Sequence, residues 1–179
     1  MKSIKFTYKA KTYLQIEGVE SSSQYANKSI FCSVYRNQEK YYWSSIGSEN
    51  EQNQEYLIYK LTGNKDSQKA LITSVVLQFR TVKYAFKKIS FTSKQIQIEI
   101  GDEFDKYHYK SRNFDVQQEN GNKQTFSILP DVVCGEFIKI TLLGIPIKSR
   151  DTWLHHIQLK YIGIRGQIIN YSDNNDAIK

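Results

Sequence analysis

Apolar and polar residues alternate along this chain with a period of two far more often than with a helical period. Ile96, Ile98 and Ile100 are separated by Gln97 and Glu99 and stop at Gly101, the pattern of a strand with one buried and one wet face. Val75, Leu77 and Phe79 repeat it at the end of a β-branched run over residues 71–79. An earlier run over residues 56–61 ends at Thr62-Gly63-Asn64, and Phe114 and Val116 alternate before Asn120-Gly121, a dipeptide that hairpins use. Residues 125–129 form the next apolar run, stopped by Pro130; residues 137–143 end at Gly144, and residues 156–164 come last. At least seven short strands with turns between them, and no helical runs to connect them, predict an all-β antiparallel sandwich rather than a parallel α/β sheet. At most one short helix or turn is expected, within residues 22–34, where Ser23 would cap a stretch carrying Ala26, Ile30 and Val34. Residues 1–169 are expected to form one domain without internal repeats, and residues 170–179 a polar tail that frays.

Composition supports strands. The 179 residues include 13 Tyr and 9 Phe but only five alanines (Ala10, Ala26, Ala70, Ala85 and Ala177), too few for a helical bundle. A chain of this length buries about 70% of its unfolded surface, so no metal or disulfide staple is needed. Net charge is +7, which favours acidic partners. Lys, Asn, Gln, Ile and Tyr abound even in loop-like stretches, so part of that charge reads as background, and a solvated basic surface without a dedicated acidic ligand is expected. Cys32 and Cys134 form no C-x-x-C and follow apolar residues, as buried free thiols do. No apolar run reaches the length of a signal peptide or membrane span, which points to a soluble, intracellular, cytoplasmic protein.

The search for chemistry is short. His155 and His156 are adjacent, so on a strand they face opposite ways, and His108 in Tyr107-His108-Tyr109 is expected in a surface loop. No metal site or cofactor is expected from them. Asp102 and Glu103 read as solvated turn acids, and no nucleophile elbow, P-loop or H-E-x-x-H is present, so no enzyme is expected. Basic and aromatic residues interleave over residues 83–88 and again over residues 106–110, followed by Arg112. Nucleic-acid binding would require Lys83, Lys87, Lys88 and Lys110 to converge on one face, and no recognition motif accompanies them, which disfavours it.

Several segments, in order, resemble a known domain. Tyr42-Trp43-Ser44-Ser45-Ile46-Gly47 followed by Glu55-Tyr56-Leu57-Ile58-Tyr59-Lys60-Leu61 is similar to a motif pair in the C-terminal domain of certain plant-type F-box proteins. Ser111-Arg112-Asn113-Phe114-Asp115-Val116, Phe126-Ser127-Ile128-Leu129-Pro130, the run over residues 135–144 and Ile157-Gln158-Leu159-Lys160-Tyr161-Ile162-Gly163 continue the match, which spans residues 19–166. That domain looks like a galactose-binding-like, discoidin-type jelly roll, and Val19-Glu20-Ser21-Ser22-Ser23 resembles the start of many such folds. Only about 20 residues precede Val19, too few for the helices of an F-box, so no ligase-receptor role is carried over.

The resemblance implies a fold and a habit of binding, not a ligand. Trp43 is expected in the core. Trp153 with Arg150, in the loop before the last strand, is the first candidate binding surface; Arg80, Tyr84 and Phe86, following a strand, are the second. The leading expectation is a non-enzymatic protein-binding or scaffold subunit of a larger intracellular assembly, with a cilium or the cytoskeleton as a plausible home. The alternative is a carbohydrate-binding, lectin-like module with Trp153 or Tyr84 as the stacking platform, and the third is the basic nucleic-acid binder. Apolar residues on both faces at Leu71-Ile72 and Leu142-Leu143 leave open whether another chain covers one sheet.

Overall fold

A computed structural model describes residues 12–35, 40–62, 69–84, 86–118 and 121–169. In chain order the strands are β1 (Thr12–Tyr13), β2 (Ile16–Ser21), β3 (Trp43–Ser44), β4 (Gln54–Leu61), β5 (Ala70–Phe79), β6 (Thr81–Tyr84) and β7 (Lys87–Ser90). There follow β8 (Gln95–Glu103), β9 (Lys106–Lys110), β10 (Phe114–Asp115), β11 (Gln124–Ser127), β12 (Val133–Gly135), β13 (Phe137–Leu143) and β14 (Gln158–Ile168). One sheet is built on the antiparallel β14–β5 pair, flanked by β1 and β3 on one side and β11 and β12 on the other. The second runs β10-β8-β13-β4-β2, with β9 also on β8, and β6–β7 is a separate hairpin. All pairings are antiparallel, as an all-β sandwich requires.

The alternation read from the chain decides which face is core. Ile96, Ile98 and Ile100 of β8 meet Ile138, Ile140 and Leu142 of β13, all 0% exposed. Across the sandwich, Ile72, Val75, Leu77 and Phe79 of β5 and Leu159, Ile162 and Ile164 of β14 supply the opposing layer. Trp43 is fully buried and donates from Nε1 to the Ser23 carbonyl at 3.0 Å. Ile72 and Leu142 belong to the core while Leu71 and Leu143 are half-buried on the outer faces, so the apolar doublets need no second chain to cover them.

Five local expectations change. Residues 22–34 hold a single 3-10 turn, Ile30–Ser33, with Ser29 before it and no side-chain cap. Ser23 instead bonds Glu55 and accepts from the Ile46 N–H, because Glu55 is 3% exposed and must be satisfied there. Asn120 lies outside the described residues; the flanking strands β10 and β11 belong to different sheets and do not pair as a hairpin. His108 lies on strand β9 rather than in a loop, since Glu99 to Glu103 of β8 pair with residues 106–110. Asp102 and Glu103 end β8 and pair with Lys69 and Lys106. Both cysteines are free but half-buried rather than buried. Cys134 lies between buried Val133 and Gly135, so its side chain leaves by the outer face. The tail over residues 170–179 lies outside the described residues.

Candidate functional site

Because antiparallel strands turn at both ends, the longer connections collect at one end of the sandwich: those after Ser44, Phe79, Asp115 and Leu143. The connection from β13 to β14 is the central one. His155 bridges Ser48 of the β3–β4 loop and Lys148 of its own loop. Its tip is closed by Ser149 N–H to Leu154 O at 2.8 Å and Trp153 N–H to Ser149 O at 3.0 Å. Beneath it, the His156 ring, 3% exposed, donates from Nδ1 to Ser45 O at 3.0 Å. Its Nε2 accepts from the Thr152 hydroxyl at 2.8 Å. Gly47, at φ +102°, passes so close that a Cβ there would come within 2.6 Å of the His156 Cε1. The loop is therefore braced from below.

Trp153 sits on that brace at φ +58° and is 71% exposed. A bulky residue in left-handed backbone is strained, and such strain persists only where surrounding bonds hold it. The two surfaces proposed from sequence meet here. The Arg150 guanidinium lies over the Tyr84 ring, 5.3 Å from its centroid, joining the β13–β14 loop to the β6–β7 hairpin. Phe86, at the turn of that hairpin, is fully exposed. Arg80 is turned elsewhere. Its guanidinium stacks on Tyr42 at 4.3 Å and donates to Gln158 Oε1 at 2.9 Å, while Lys28 Nζ stands 4.5 Å from the same ring. Tyr42 and Lys28 thus adjoin Arg80, a grouping that sequence reasoning missed because the three lie far apart along the chain.

Other chemistry does not assemble. Among the described residues no three of His, Cys, Asp and Glu are placed to hold a metal. Lys83, Lys87 and Lys88 share the hairpin, but Lys110 lies on β9 facing Glu99, so the four lysines do not converge. At the opposite end a cavity of about 380 Å³ is lined by Lys69, Asp102, His108, Tyr109 and Cys134 among others. Burial, and then the Asp102 charge, pushes the Cys134 thiol up from its ordinary value, the opposite of an activated nucleophile. No helix among the described residues is long and apolar enough to cross a membrane.

No family model and no curated protein sequence matches this chain. Its shape does match solved structures. A family 32 carbohydrate-binding module of Clostridium perfringens NanJ, solved in complex with galactose, superposes with a TM-score of 0.62 at 12% identity, covering 87% of this chain and 99% of that one. The third such module of a family 31 glycoside hydrolase from Clostridium perfringens gives 0.63 at 12% identity, over 85% and 91% of the two chains. The C-terminal domain of a chitobiase from Bacteroides fragilis gives 0.63 at 11% identity, over 90% and 100%. The architecture of this chain is therefore the galactose-binding-like, discoidin-type jelly roll.

Proposed function

We propose that this chain is a non-catalytic carbohydrate-binding module whose ligand face is the loop end carrying Trp153, Arg150, Tyr84 and Phe86. Trp153 carries the reading: a large aromatic ring, 71% exposed, strained and braced on a loop tip. An indole face so placed offers apolar area to the C–H face of a sugar ring at little ordering cost, because the loop is already fixed. Arg150 beside it offers N–H donors to hydroxyls, and stacking on Tyr84 holds its plane. The fold neighbours named as carbohydrate-binding modules, one of them with galactose bound, support the same reading. Of the three sequence-based readings, the lectin-like alternative thus moves ahead of the protein scaffold.

A glycan array followed by calorimetric titration tests it. Trp153→Ala is expected to weaken binding to any bound glycan by about tenfold or more, the loss that follows removal of a large aromatic contact. Its melting temperature should stay close to that of the parent, since the ring contributes little to the core. Undiminished binding by Trp153→Ala would remove the loop end as the site. An empty array would remove the carbohydrate reading itself.

A further inference from the structure

Ion pairing is uneven along the sandwich. Lys60, Lys69, Lys106, Lys110 and Lys139, on the sheets and at the far end, each face a carboxylate: Glu136, Asp102, Glu103, and Glu99 twice. The loop end is different. Residues 80–94 carry Arg80, Lys83, Lys87, Lys88 and Lys94 and no acid. Of these five, Lys94 alone has an ion-pair partner among the described residues, Glu51 at 3.4 Å. Arg150 and Lys28 have aromatic faces beneath them, Tyr84 and Tyr42, and no carboxylate partner among the described residues. Lys83 is directly opposite Lys88 in the hairpin, a like-charge pair that costs stability. Lys87 is the cross-strand partner of Tyr84 and so leaves the hairpin on the face that Arg150 covers.

Uncompensated cations gathered at one end, with two guanidinium planes held in place by tyrosine rings, make a surface prepared for negative charge. A neutral sugar would need none of this. Resting on the carbohydrate reading above, we infer that the ligand is an acidic glycan, a chain bearing carboxylate or sulfate groups. Trp153 stacks on a ring, while Arg150, Lys87 and their neighbours meet the charges. This replaces the expectation of a basic surface without a dedicated acidic ligand. A glycan is favoured over nucleic acid because Lys110, the fourth lysine that the nucleic-acid reading requires, is engaged with Glu99 on a different strand.

The experiment compares binding of the full chain to polygalacturonate, heparin, a neutral galactan and single-stranded DNA at low and moderate salt. Three proteins are compared: Lys83→Gln/Lys87→Gln/Lys88→Gln, Trp153→Ala and the parent. The acidic glycans are expected to bind more tightly than the galactan, polygalacturonate reporting carboxylate and heparin sulfate recognition. The triple variant should lose about tenfold toward them, the product of three roughly twofold effects of exposed charges, with any galactan binding unchanged. Galactan bound as tightly as the acidic chains, and indifferent to the triple variant, would overturn this inference and leave the carbohydrate reading standing. Failure of every glycan would remove both. DNA bound as tightly as the glycans, insensitive to Trp153→Ala and lost steeply with salt, would also overturn it, as the mark of a general polyanion binder.

Discussion

The Ser45 carbonyl can only accept, so His156 Nδ1 carries a proton, and in the neutral ring Nε2 is left to accept from Thr152. Both contacts are buried or nearly so, and together they tie the β3–β4 loop to the tip that bears Trp153. His156→Ala removes one of two donors to the Ser45 carbonyl, the Ser44 hydroxyl being the other, and leaves the Thr152 hydroxyl without its acceptor. It should lower stability by about 1–3 kcal/mol, the cost of a part-buried group left unpaired, as read from urea unfolding. Trp153 behaves in the reverse sense. Its left-handed backbone is one that glycine adopts freely, so Trp153→Gly should not lower the melting temperature and should still lose ligand binding. A site whose key residue is locally unfavourable to the fold is the expected signature of function over stability.

At the scale of elements, β9 shows both what the sequence reveals and what it hides. Lys106-Tyr107-His108-Tyr109-Lys110 alternates perfectly between exposed and half-buried positions, yet each of its residues carries a polar or charged group, so it reads as a loop. It is a strand because Glu99 to Glu103 of β8 offer it a partner, and its lysines suit an edge. β12 is three residues long, too short for any periodicity to register. The long apolar strands were legible because burial itself sets their pattern. The Arg150–Tyr84 contact was not, since it depends on how β5 and β14 pair and where the hairpin between β5 and β8 lands. β9 also yields a pH prediction. Burial raises Tyr107 and Tyr109 from 10.0 to about 12, with the Asp131 carboxylate that accepts from the Tyr109 hydroxyl adding to the second. Raised values mean that the ionised rings are disfavoured in the fold. The stability they contribute is whole below pH 10.0 and is lost as pH climbs through about 12. Tyrosinate absorbance should therefore show a late class of rings, and Tyr107→Phe should shrink it and move alkaline unfolding to higher pH.

The whole molecule divides its labour between ends. Lys60, Lys69, Lys110 and Lys139, on the sheets and at the far end, face carboxylates, so these ion pairs have little to gain from salt. Lys83, Lys87 and Lys88 of the hairpin, and Arg150 above it, have no ion-pair partner among the described residues, and that arrangement opposes folding wherever no ligand is bound. Lys83 opposite Lys88 is the clearest case, since cross-strand side chains stand near enough for repulsion to be felt. Lys88→Gln should accordingly raise stability by about 0.5 kcal/mol at low ionic strength. The gain should fade as salt shortens the Debye length to below roughly 5 Å, and thermal melts of parent and variant across a salt series measure both. A parent that is itself stabilised by salt, with Lys88→Gln largely insensitive to it, would locate the repulsion in the hairpin. If bound polygalacturonate removes the same salt dependence from the parent, the charges that weaken the free protein are those that hold its ligand. Equal salt response in parent and variant would mean instead that the hairpin lysines are too well solvated to repel each other, and that the cost of the basic surface is spread across the chain.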